Sequence, residues 1–127
     1  MRYTALTVRF VGSIYDRDVL QALRFHARAY VHGHSVGGTN PSLLEALACG
    51  STVIAHDNPF NREVLGDAGL YFLGEADLAT QIRAHEASRN GSTEASRGRM
   101  QDIVRGEYSW DIILAEYEEL FAGLTAG

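Results

Sequence analysis

Short apolar runs and amphipathic stretches take turns along the first 73 residues. Four runs, Thr7–Val11, Arg28–His32, Thr52–His56 and Leu70–Leu73, are rich in β-branched or aromatic residues. Most end at a glycine or a polar residue, so they predict strands. Between them Asp18–His26 places Val19, Leu20, Leu23 and Ala27 on one face, as an amphipathic helix does. Pro41–Cys49 is apolar nearly all round, and Asn61–Leu65 is long enough for only a turn or so of helix. Strands alternating with helices imply right-handed crossovers and a mostly parallel sheet of about four strands flanked by helices.

After Leu73 the pattern changes. Glu75–Ala87 and Glu94–Val104 predict surface helices separated by the breaker Asn90-Gly91-Ser92. A last helix starts after the N-cap Ser109, with Ile112, Ile113, Tyr117, Leu120 and Phe121 near i, i+4 and i+8 spacing. Residues 75–127 therefore form a helical flank over the sheet. No repeat or linker interrupts the chain, and 127 residues make one domain.

Composition narrows the class. With 46% apolar and 21% charged residues the chain is an ordinary globular one. It lacks both an apolar run of membrane-spanning length and a signal-peptide layout, which predicts a soluble protein of the cytoplasm. A net charge of −5 argues against a nucleic-acid partner. Residues 1–66 carry six Arg against five acids, and residues 67–127 five Arg against eleven, so an anionic ligand prefers the first half. No lysine is present, which excludes Schiff-base chemistry and the P-loop lysine. The single Cys49 forms no internal disulfide and, within Ala46–Cys49, reads as a small buried thiol.

The segment richest in chemistry is Gly33–Gly50. Asn40 is a favoured N-cap, Pro41 suits the first helical position, and Gly50 fits the left-handed residue that ends a helix. Gly37 and Gly38 stand just before the cap, where they let backbone approach a ligand closely. Free amides at the helix start, around Thr39, Asn40, Ser42 and Leu43, suit a diphosphate at the carboxyl edge of a parallel sheet. The competing reading is a tight turn without a ligand. Glu45 lies among Leu43, Leu44, Ala46, Leu47 and Ala48, so a buried carboxylate is expected that needs partners: ligand hydroxyls, a rim position, or an arginine such as Arg62.

These residues resemble a family. Gly37–Gly50, followed by Thr52-Val53-Ile54-Ala55, is similar to the nucleotide-sugar signature of glycosyltransferases with two Rossmann-like domains, in their C-terminal domain. Val8–Ser13 resembles the strand and loop lining the base pocket, Glu63 the acid after the next strand, and Tyr108-Ser109-Trp110 the start of the closing helix. His34 to Glu45 most resembles the bacterial rhamnosyltransferase-like subgroup. The resemblance implies transfer of a hexosyl group, such as rhamnose, from a nucleotide diphosphate-sugar to an acceptor hydroxyl in polysaccharide or glycoconjugate synthesis. The outcome would be retention, with neither cofactor nor obligatory metal.

The resemblance assigns Gly37, Gly38, Thr39, Asn40, Ser42 and Leu43 to the diphosphate, Glu45 to the ribose, and Gly12, Ser13 and His34 to the base or sugar pocket. The family's first signature acid is replaced by Gly37. It also implies that an N-terminal acceptor domain and the first two donor-domain strands are absent, leaving the isolated chain inactive and the Rossmann-like sheet incomplete. In the order 3-2-1-4-5-6 those strands lie between Thr7–Val11 and Arg28–His32. These two runs are then expected to pair directly, or the open edges to be completed by a second copy. With no membrane span, any membrane association of the parent enzyme is peripheral.

Other chemistries are weaker. His32, His34 and His56 are conceivable metal ligands, but no cysteine or carboxylate cluster completes the set. Ser35 and Ser42 lack a nucleophile elbow. A non-catalytic nucleotide-binding or assembly module on the same scaffold is the alternative to an enzyme.

Overall fold

The computed structural model describes residues 8–88 and 93–126. Helix α1 (Arg17–His26) leads to strand β1 (Tyr30–His32), α2 (Pro41–Ala48), β2 (Val53–His56) and α3 (Pro59–Leu65). A single 3-10 turn at Gly66–Ala68 then precedes β3 (Leu70–Phe72), followed by α4 (Glu75–Ala87), α5 (Glu94–Glu107) and α6 (Trp110–Thr125). The three strands are parallel in the order β1-β2-β3, with Tyr30 opposite Val53 and Ile54 opposite Leu70. This is the α/β, Rossmann-like arrangement expected, as a fragment of such a sheet.

Among the described residues the sheet has three strands rather than four. Val8–Val11, the described part of the first expected strand, is irregular, and Val8, Phe10 and Val11 are exposed. Strand propensity without a neighbour to complete the hydrogen-bond ladder does not make a strand. Direct pairing of this segment with β1 is therefore not what the fold adopts; β1 pairs with β2. Asn90-Gly91-Ser92 lies outside the described residues.

Central β2 is buried on both faces. Val53 and Ala55 join Leu43, Leu47, Val64, Leu65 and Met100 in one cluster, so α2, α3 and α5 share that face. Ile54 points to the opposite face, where α4 packs on β2 and β3. Burial on both faces explains the uninterrupted apolar run.

Local sequence sets the helix ends. Asn40 Oδ1 accepts from the Ser42 N–H at 2.9 Å with Pro41 at N1, as read from sequence. Asn58-Pro59 repeats the device: Asn58 Oδ1 accepts from the Asn61 N–H, which starts α3 two residues earlier than the apolar pattern suggests. Gly50, at φ +71°, closes α2 in a Schellman arrangement. The Ser51 N–H reaches the Ala46 carbonyl at 3.0 Å, and the Gly50 N–H reaches the Leu47 carbonyl at 2.8 Å. Ser109 caps α6 as expected.

The apolar side of α6 is not buried: Trp110, Leu114, Tyr117, Leu120, Phe121 and Leu124 are exposed. Helix α6 meets α5, while α4 covers the sheet. The helical flank is thus split between two places.

Candidate functional site

The loop from Gly33 to Asn40 leaves β1 at the carboxyl edge of the sheet and enters α2. Gly37 takes φ +111°, a region that favours glycine, and a side chain at Gly37 or Gly38 would meet only open space. The loop is exposed apart from half-buried Asn40.

It is held at both ends. The His34 carbonyl accepts from Asn58 Nδ2 at 3.1 Å and from Asn61 Nδ2 at 3.0 Å, which ties it to the turn after β2. The Thr39 side chain faces the Tyr108 phenol at the end of α5, where Glu63 is a charged neighbour. Burial raises the Tyr108 pKa above its ordinary 10.0, and the Glu107 and Glu63 carboxylates add to the rise. Thr39, Glu63 and Tyr108, distant in sequence, thus converge at one edge.

The helix start is less open than the sequence suggests. The Ser42 N–H is taken by Asn40 Oδ1 and the Leu43 N–H by the Asn40 carbonyl at 3.0 Å. Pro41 has no N–H at all. The Ser42 side chain faces the Tyr30 phenol, whose pKa burial pushes above 10.0. The cap that fixes the helix therefore consumes the amides assigned to a diphosphate at Ser42 and Leu43. A phosphate there must use loop amides from Gly37 to Thr39 or displace the cap.

The expected burial of Glu45 is not what the fold shows. Its side chain is 57% exposed, and Oε2 lies 2.7 Å from Nη1 of Arg24, itself 15% exposed. Of the alternatives considered, the rim position and an arginine partner both hold, the arginine coming from α1. Arg62 instead donates to Asp57, with Nη2 to Oδ2 at 2.8 Å, and lies 4.2 Å over the Tyr71 ring. Eight residues of α2 are enough to turn Glu45 from the core face, where Leu43, Ala46 and Leu47 are buried, toward α1.

Arg24 and Glu45 line a 670 Å³ cavity between α1, α2 and α5 that also reaches Phe25, Cys49 and Gln101. Cys49 is half-buried there, rather than fully buried. Gly12, at φ +71°, and Ser13 are exposed in the irregular segment before α1, outside that cavity.

His34 stacks on His32 with ring centroids 4.8 Å apart, beside the open edge of β1. His32 is 1% exposed, and neither ring nitrogen has a partner. Burial holds its pKa below the ordinary 6.5, and His34 pushes the same way. His56 packs edge-on to Phe72 at 5.7 Å, so the three histidines do not form one ligand set. No group of three His, Cys, Asp or Glu side chains is placed to hold a metal ion among the described residues.

A family model, Glycosyl transferases group 1, matches residues 5–90, more than half of the chain. This chain belongs to the group 1 glycosyl transferases. No curated protein and no solved structure gives a significant match. In this group 1 glycosyl transferase chain the matched stretch contains β1, β2, β3, the glycine loop and Glu45. Membership supports glycosyl transfer with a nucleotide-sugar donor. No helix among the described residues is long and apolar enough to cross a membrane.

Sequence reading missed Arg24, Tyr30 and Tyr108 as polar partners of the site. Arg24 looked like an ordinary polar position on an amphipathic helix, Tyr30 a strand residue and Tyr108 a lead-in to α6. Only their meeting across elements gives them a role.

Proposed function

We propose that this chain supplies the donor side of a hexosyl transfer from a nucleotide diphosphate-sugar to an acceptor hydroxyl. The observation that supports this reading is the placement of the Gly37–Thr39 loop at the carboxyl edge of a parallel sheet, in a chain of the glycosyl transferase group 1 family. Open space at both glycines leaves room for diphosphate oxygens against the Gly37, Gly38 and Thr39 amides. Thr39 and Asn40 flank that seat, with the α2 amides at Ser42 and Leu43 joining it when Asn40 yields.

Glu45 accepts from ribose hydroxyls, with the nucleoside against the adjacent cavity. Gly12, Ser13 and His34 bound the remaining base or sugar pocket. Rhamnose is the sugar we favour, on the likeness of His34–Glu45 to rhamnosyltransferase-like enzymes, in a cytoplasmic step of polysaccharide or glycoconjugate synthesis. The transfer needs no cofactor or obligatory metal. Turnover takes place in a cleft shared with an acceptor-binding domain, so the chain alone binds donor without transferring. The open β1 edge is where another strand, from that parent or from a second copy, completes the sheet.

Glycine at position 37, where the family carries an acid, favours one further reading: a nucleotide-binding or assembly module without turnover. Calorimetry with several nucleoside diphosphates tests the donor site. Binding that weakens sharply in Glu45→Ala and Gly38→Val supports it; no binding by any nucleotide rejects it. Transfer of label from a nucleotide-sugar by the chain joined to its acceptor domain separates the enzyme from the module.

A further inference from the structure

We propose that Arg24 is a positioning residue of the donor site: it holds the Glu45 carboxylate in the orientation that receives the ribose. This rests on the reading of Glu45 as the ribose acceptor.

Glu45 alone is poorly suited to that task. Its side chain is more than half exposed, and a glutamate with three free torsions loses considerable rotamer entropy when it locks onto a ligand. Arg24 supplies what Glu45 lacks. Its side chain is 15% exposed, packed between α1 and α2, and its Nη1 lies 2.7 Å from Glu45 Oε2 in a close ion pair.

The backbone carrying Arg24 is fixed as well. Its carbonyl accepts from Ser51 Oγ at 2.9 Å, and the next carbonyl, of Phe25, accepts from Arg97 Nη2 at 3.0 Å. The Arg97 guanidinium also lies 4.3 Å over the Phe25 ring. The last turn of α1 is therefore anchored to both the end of α2 and α5, and Arg24 is a fixed post rather than a mobile surface arginine.

The ion pair engages Oε2 and leaves Oε1 as an acceptor for vicinal hydroxyls. Both residues line the same cavity, so the oriented carboxylate borders space that a nucleoside can enter. Ordering the acid before the ligand arrives removes a cost of binding, which is how a residue that touches no ligand changes affinity.

The test uses isothermal calorimetry of the chain with uridine and guanosine diphosphates, each beside its 2′,3′-dideoxy counterpart, with a thermal melt of every variant. Arg24→Gln is expected to weaken ribonucleotide binding about tenfold, the scale of losing one charge-assisted contact. Dideoxynucleotide binding should stay unchanged, which a general loss of structure would not spare. Arg24→Lys is expected to recover most of the affinity, and Arg24→Gln with Glu45→Gln to bind no worse than Glu45→Gln alone.

Equal loss for ribo- and dideoxynucleotides, or tighter ribonucleotide binding in Arg24→Gln, would overturn the role of Arg24. Weakening by Glu45→Gln without weakening by Arg24→Gln would overturn it too, while leaving the donor site standing. Failure of both ribonucleotides to bind the unaltered chain overturns the donor reading and this inference together.

Discussion

The phenol of Tyr30, at the first residue of β1, faces the Ser42 side chain in the first turn of α2. This links the edge strand to the helix that carries the site, across a half-buried position. Tyr30→Phe and Ser42→Ala should each cost about 0.5–1.5 kcal/mol. The double variant should cost clearly less than their sum, because the two groups share one interaction. Urea titrations of the four proteins measure it; strict additivity would show that the contact contributes nothing.

Gly50 is fixed by conformation and by space. Its φ of +71° is one that L side chains adopt at a cost, and an added Cβ would lie 3.0 Å from Arg97 Cβ. Gly50→Ala should therefore destabilise the chain by about 1–3 kcal/mol, combining left-handed strain with crowding against α5. A shift in the thermal midpoint of several degrees would register it; an unchanged midpoint would mean that the α2–α5 contact relaxes freely.

His32 makes stability depend on pH. Its folded pKa lies below 6.5, so the unfolded chain takes up this proton first. Its contribution is complete above about pH 6.5 and is lost progressively on acidification, until the folded imidazole titrates as well. His34 stacks against it and adds repulsion once charged. The denaturant midpoint should fall from about pH 7 to about pH 5. His32→Phe, which keeps a ring in the buried place, should flatten that fall. Parallel curves for the two proteins would assign the dependence to other groups.

Tyr108, at the end of α5, meets the glycine loop at Thr39. Removing its hydroxyl in Tyr108→Phe leaves the ring in the core but frees the loop. Amide exchange in residues 35–40 should then quicken by roughly 2–10-fold, while β2 is unaffected. Unchanged exchange would show that the asparagine contacts to His34 hold the loop alone.

The strand runs around β1, β2 and β3, the helix starts at Asn40 and Ser109, and the end of α2 at Gly50 were all legible, because each depends on a few neighbouring residues. A cap needs a side-chain oxygen two or three residues from an amide, and a left-handed turn needs a missing Cβ. The Asn58-Pro59 start of α3 was equally readable, since it repeats Asn40-Pro41, and the apolar pattern alone obscured it. Sequence also carried the family likeness, because the loop and α2 form one continuous stretch.

What the sequence alone determined about this protein is thus its alternation of parallel strands and helices, its caps, and a glycine-led loop of glycosyltransferase type. Tertiary structure decided the partnerships: Arg24 with Glu45 rather than Arg62, Tyr30 with Ser42, Thr39 with Tyr108, His32 in a dry place, and Val8–Val11 outside the sheet. Pairing and burial depend on which elements meet in space. A carboxylate among leucines in sequence can still face water when the helix turns it 100° from its neighbour.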